Sequence, residues 1–357
     1  MLITQTILQT KGLKNLSICM NDIVEFSAAP VIAWLMYTKE TLRSLVYVVH
    51  SKPSLSVLER CGRHILENLV LGYTTISVVE PSYQRFPCLK SLSLQHVTIS
   101  GIELVLLLTM CPKLESFSLV DPELTVPDGV NYLELTNPSL KHIYVEDVSL
   151  DKLVLEADNL ESLHLKETTI EIFEVISKGS LKQLKFQDVA IAHLDIGDLT
   201  DDLEVVDVSG FTIMWPKFNQ MISRSAKLRR LRIWDVIYDG EDDVMELETI
   251  ATCFPNLKYL SLCYDLRDGL LQCGIRGSSL LENVVVLELG STVINDLFTQ
   301  WIAAILERCP RIKQLIIHGS ISEAKLRDDY KMFARFTSSI VSLMRKFIDV
   351  DVQFDFQ

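Results

Sequence analysis

Residues of the kind that anchor macromolecular contacts alternate in Arg230-Leu231-Arg232-Ile233-Trp234. On a strand, successive side chains point to opposite faces, so Arg230, Arg232 and Trp234 project together while Leu231 and Ile233 turn away. A guanidinium donates paired N–H groups to oxyanions and stacks on aromatic rings, so Arg232 can lie on Trp234. Tyr259 opens a comparable strand further along. This chemistry is recognition, because arginine and tryptophan dominate binding hot spots. The competing structural role pairs Arg230 and Arg232 with Asp207 and Glu288, with Trp234 covering a neighbouring strand.

A second group comprises His142, Tyr144, His164, Lys166 and Lys185. Two histidines on adjacent strands could bind a metal or sense pH, but a metal needs a third ligand and none is evident. Ordinary surface residues are the alternative. The acidic run Asp239-Gly240-Glu241-Asp242-Asp243 reads as a solvated loop leading into a helix. Catalytic signatures are missing: the chain has no glycine-rich phosphate loop and no G-x-S-x-G elbow. The reading is a binding protein that is not an enzyme and carries no cofactor or catalytic metal.

The elements that position these residues repeat. Phe86-Pro87-Cys88-Leu89-Lys90-Ser91-Leu92-Ser93-Leu94 returns as Cys111-Pro112-Lys113-Leu114-Glu115-Ser116-Phe117-Ser118-Leu119 and as Phe254-Pro255-Asn256-Leu257-Lys258-Tyr259-Leu260-Ser261-Leu262. It returns once more from Cys309 to Ile317. Looser L-x-x-L-x-L copies begin at Leu13, Leu42, Leu66, Leu140, Leu160, Leu181, Leu203, Leu228 and Val284. Self-similarity at about 20 to 29 residues marks leucine-rich repeats. The expected fold is α/β: a leucine-rich-repeat horseshoe with a parallel sheet on its concave face, in which each unit buries its leucines against both neighbours. Hydrophobic residues make up 48% of the chain, which such mutual burial accommodates.

Helical returns are expected on the convex side at both ends, over Pro30–Tyr37, Gly101–Met110, Pro216–Ser225, Asp243–Cys253 and Asn295–Arg308. Between Val130 and Val208 the phrases come roughly every ten residues, too close for a useful helix, so β-like returns are expected there. Residues 1–321 read as an array of about 13 repeats, and 322–357 as a C-terminal cap. In that cap Met332, Phe333, Phe336, Ile340, Leu343 and Phe347 share one helix face, and an edge strand guarded by aspartates follows. At the other end the first repeat is expected to start almost at Met1 with a bare leucine face, so a preceding segment is expected.

The net charge of −13 argues against general nucleic-acid binding. No apolar run approaches the roughly 18 residues of a membrane helix. The eight cysteines show no C-x-x-C pair, and the first residues lack a signal peptide, which together suggest the cytoplasm or nucleus.

The C/F-P-x-L-K/E-x-L-x-L phrase resembles the repeats of plant F-box/leucine-rich-repeat proteins of ribonuclease-inhibitor-like architecture. So do Asn137-Pro138-Ser139-Leu140-Lys141 and Ala157-Asp158-Asn159-Leu160-Glu161. The likeness runs from about Leu13 to Gln357. It implies that the concave face recruits a protein substrate for an SCF-type ubiquitin ligase. A Skp-type adaptor would join only through an F-box upstream, since none lies within this chain. A free-standing scaffold or decoy is the alternative. A hormone-type site over an inositol phosphate needs more converging bases than Lys166, Lys185, Arg230 and Arg232 supply.

Overall fold

The computed structural model describes residues 2–20, 26–52, 57–61, 64–76, 86–125, 131–177, 179, 181–197, 199–213, 215–238, 245–264, 266–267, 270–271, 273–291, 294–319 and 327–356. The chain forms two compact units, Met1–Ser180 with Ala190–Leu199, and Leu181–Val189 with Thr200–Gln357.

In the first unit the sheet strands are Asn15–Cys19, Ser44–Val48, Asn68–Gly72, Ser91–Gln95, Ser116–Val120, His142–Glu156 and Ser162–Ile176. They lie side by side in chain order and pair in parallel. The register is constant, aligning Asn15, Ser44, Asn68, Ser91, Ser116, His142 and Ser162. Alternation therefore sends Leu45, Leu69, Leu92, Phe117, Ile143 and Leu163 inward together, where they are buried. Backbone staples hold the register: the N–H groups of Lys90 and Ser91 both donate to Glu67 O, and those of Glu115 and Ser116 to Lys90 O.

Returns take two forms, as the spacing predicts. The helix Gly101–Thr109 buries Leu104, Leu107 and Leu108 and opens on a capping box. In it the Glu103 N–H donates to Ser100 Oγ and the Ser100 N–H donates back to Glu103. Further on the return is β: pairing continues past the sheet from Val148↔Thr168 to Glu156↔Ile176, and Tyr132–Thr136 adds to its far side. Asp147 and Glu167 interrupt this ladder in the left-handed region, at φ 54° and 49°, and turn the strand around the corner. Tyr73, His96 and Asp121 do the same at the ends of their strands.

The second unit repeats the plan. Residues 183–189 are followed by Val205–Ile213, Arg230–Trp234, Tyr259–Tyr264, Val286–Ser291, Gln314–Gly319 and Asp351–Phe356, again in chain order. Helices Trp215–Ile222, Leu247–Cys253 and Asp296–Leu306 form returns, the last capped by Asn295 Oδ1 accepting the Phe298 N–H at 2.8 Å. Gly210 takes the left-handed corner at φ 58°, where an added Cβ would run into the Asp188 carboxylate.

Several expectations need correction. The chain does not open directly on a repeat strand: helix Leu2–Gln9 precedes Asn15–Cys19, and Trp34 Nε1 donates to Thr4 Oγ1 at 3.3 Å. The C-terminal helix is Arg327–Met344, and only Phe336 and Ile340 of its expected apolar face are buried, while Met332 is exposed. The strand after it starts at Asp351 and pairs in parallel with Gln314–Gly319. The acidic run 239–243 and residues 322–326 lie outside the described residues.

Candidate functional site

Apart from Lys185, the sequence-derived candidates fall into one group in each unit. In the first, strand alternation puts His142, Tyr144 and Glu146 on the face opposite the leucines, beside Ser162, His164 and Lys166. Tyr144 pairs with His164 in register, and their rings meet edge-on at 4.8 Å. Lys166 Nζ donates to Glu146 at 2.5 Å and lies 3.2 Å from Glu167. The Tyr144 hydroxyl donates to the other Glu146 oxygen at 2.5 Å. These bonds hold the Glu146 carboxyl below its ordinary range, Lys166 contributing most and Tyr144 next. Burial, then the Glu146 carboxylate, pushes the Tyr144 phenol up to about 12.

His142 stands opposite Ser162 rather than opposite His164, and is exposed. No group of three His, Cys, Asp or Glu side chains able to hold a metal occurs among the described residues. The cluster is an ion-pair network in which Lys166 bridges Glu146 and Glu167.

The second unit holds a larger arrangement. Arg230, Arg232 and Trp234 leave one face of their strand, as their alternation requires, while Leu231 and Ile233 are buried behind. Arg230 lies over the Tyr259 ring, 4.2 Å from its centroid, and Arg232 over the Trp234 ring at 4.7 Å. Arg232 Nη1 reaches Asp207 Oδ1 at 3.4 Å, and its Nε is buried with no acceptor. Arg230 makes no ion pair among the described residues, so the alternative of two surface ion pairs holds for Arg232 alone.

Trp234 extends across the next two strands. Its Nε1 donates to Ser261 Oγ at 2.6 Å, and its ring lies over Gly290, leaving no room for a side chain there. The His318 ring meets the indole edge at 5.5 Å. Beneath sits Glu288, which accepts from the Tyr259 hydroxyl. His318 Nε2 lies 2.8 Å from Glu288 Oε1, off the ring N–H direction, and Nδ1 lies 3.1 Å from Asp355 Oδ2.

Burial by itself would raise the Glu288 pKa. Hydrogen bonds from Tyr259 and Ser261, with the charges of Arg232 and His318, outweigh it and hold the carboxyl below its ordinary value. Burial first, and the Glu288 carboxylate next, drive the Tyr259 phenol well above its usual range.

Lys185 lies on a different strand and makes no ion pair among the described residues. Sequence reasoning missed Ser261, Gly290, His318 and Asp355 as members of this group and took Glu288 only as a surface partner. The signal was present in the register, since the third outward position runs Trp234, Cys263, Gly290, His318, Asp355. Reading it requires knowing that an indole spans more than one strand.

The parallel repeat sheet, with its leucines inward and this row outward, defines a leucine-rich-repeat protein. A family model described as "FBD-associated F-box protein At5g56370, LRR repeats" matches residues 39–201. The chain is also 54% identical over 356 residues to the F-box/LRR-repeat protein At1g67190 of Arabidopsis thaliana, which covers 100% of this chain and 85% of that protein. The chain therefore belongs to the F-box/LRR-repeat proteins.

No helix among the described residues is long and apolar enough to cross a membrane. The eight cysteines are free, and burial pushes the thiols of Cys111 and Cys309 up to about 12, which suits packing rather than reaction.

Proposed function

We propose that this chain is the substrate-recognising part of an SCF-type ubiquitin ligase, acting in the cytoplasm or nucleus. The repeats hold a protein substrate near a ubiquitin-charged enzyme and do no chemistry themselves. Family membership supports the ligase context. The observation that carries the recognition site is the Arg232–Trp234–Gly290 stack: an arginine and a tryptophan pre-oriented on a rigid sheet, the residue types and rigidity that binding hot spots use. His142, Tyr144, His164, Lys166 and Lys185 are proposed as outlying contacts, and residues 322–357 as the cap of the array.

The test compares this chain with a form extended upstream, each used to capture proteins from plant extract. The extended form should retain a Skp-type adaptor and cullin. Arg232→Glu should release the remaining bound proteins while the adaptor stays and the circular dichroism is unchanged. Failure of the extended form to retain the adaptor would favour a free-standing scaffold.

A further inference from the structure

The residue just before each sheet strand is usually charged, and in the first unit, after the like pair Lys14 and Arg43 at its start, those charges alternate. The staples that join neighbouring repeats bring Arg43, Glu67, Lys90, Glu115 and Lys141 abreast, each N–H donating to the carbonyl of the one before. Arg43 hydrogen-bonds Glu67, Lys90 lies 3.7 Å from Glu67, and Lys141 lies 3.3 Å from Glu115. Opposite charges side by side on a sheet stabilise it, and like charges do the reverse.

In the second unit the alternation stops. The same staples align Glu204, Arg229, Lys258, Val285 and Lys313, so Arg229 and Lys258 are adjacent like charges with no carboxylate beyond them in the row. Arg230 stands next to them, oriented by the Tyr259 ring. Arg229, Arg230 and Lys258 are all exposed, and none makes an ion pair among the described residues. Behind them Arg232 keeps one long contact to Asp207 and a buried Nε without an acceptor. In a chain of net charge −13, one corner of the sheet thus concentrates Arg229, Arg230 and Lys258, none of them ion-paired among the described residues.

We propose that Arg229, Arg230 and Lys258 receive an oxyanion carried by a side chain of the bound protein, with Arg232 behind them reinforcing the positive field. A guanidinium fixed on an aromatic ring presents its donors in the planar fork that carboxylates and phosphoryl groups accept. The inference rests on the protein-binding role proposed for this face and names the chemistry of what it binds. Its source is either a phosphorylated residue or an aspartate or glutamate, which offer the same oxygens at different charge.

The test is a chemical-shift titration of the Arg230 Nε–H and the Trp234 indole N–H in the full chain. The probes are three heptapeptides, identical except for a central phosphoserine, glutamate or lysine, and a uridine decamer. At least one anionic peptide should give saturable shifts that weaken as salt rises, and Arg230→Gln should reduce that affinity about tenfold. Binding of the phosphoserine peptide alone assigns the source to a phosphorylated partner, and binding of the glutamate peptide to an acidic one. If neither binds, or if the decamer binds more tightly than both, the proposal is overturned.

Lys258→Glu supplies a second arm, because it restores the alternation. It should hold or raise the unfolding midpoint while lowering anionic-peptide affinity at least about tenfold. Unchanged affinity would show that the corner has no ligand role. Should the midpoint fall instead, the affinity of Arg230→Gln decides. If Arg232→Glu loses its captured proteins but no peptide binds the parent chain, the receptor reading stands and the oxyanion reading fails.

Discussion

The indole of Trp234 rests on Gly290, two strands away, so closely that a Cβ at position 290 would sit 2.6 Å from the far edge of the ring. The register places Trp234, Cys263 and Gly290 at the third outward position of consecutive strands, and only the absence of a side chain at 290 lets the ring lie down. Gly290→Ala should therefore lift Trp234 off the sheet and break its bond to Ser261. The fold should persist, since the obstructing atom is the end of a side chain. The expected result is a shifted Trp234 indole N–H resonance and several-fold weaker partner capture, with little change in unfolding midpoint.

Asn137 tests how the repeats are tied together in the first unit. It is 3% exposed; its Nδ2 donates to Leu108 O at 2.9 Å and Cys111 O at 3.0 Å, while Oδ1 accepts the Ser139 N–H at 3.0 Å. Asn137→Ala strands these buried groups and should cost about 1–3 kcal/mol, measured by urea unfolding.

Leu260→Ala should cost about 2–5 kcal/mol in the same assay. The side chain is fully buried between Leu231 and Leu287 of the flanking strands, so truncation leaves a cavity that neighbouring repeats cannot close. An effect below this range would mean that the repeat core collapses more easily than its packing implies.

Acid should act through Glu288. Its folded-state pKa is held below the ordinary 4.5, so its contribution to stability is complete above that pH and is lost as pH falls through the folded value. Glu288→Gln should lower the unfolding midpoint at pH 7, and the gap between variant and parent should narrow steadily below pH 4.5. A gap that stays constant from pH 7 to pH 3 would remove Glu288 from the network.

The sheet was legible because one local rule repeats. Every L-x-x-L-x-L phrase encodes a strand with an apolar face, and the constant register of Asn15, Ser44, Asn68 and Ser91 follows from stacking copies of it. The β-like returns were legible from spacing alone, since ten residues cannot turn back through a helix. The left-handed corners at Tyr73, His96, Asp121, Asp147 and Glu167 were not, because none of these turning positions is a glycine. The N-terminal helix Leu2–Gln9 was also missed: eight residues without a charged first turn or basic last turn carry little helix signal until Trp34 anchors them.

By itself the sequence determined the fold class, which residues face inward, and that Arg230, Arg232 and Trp234 leave the same side of one strand. These follow from periodicity, which is a local property. Only the tertiary structure decided that Arg230 settles on Tyr259, that Trp234 reaches over Gly290 to His318, and that Glu288 lies inside the group. Those relations join residues 29 to 84 positions apart, and they depend on side-chain reach across parallel strands, which no local pattern records.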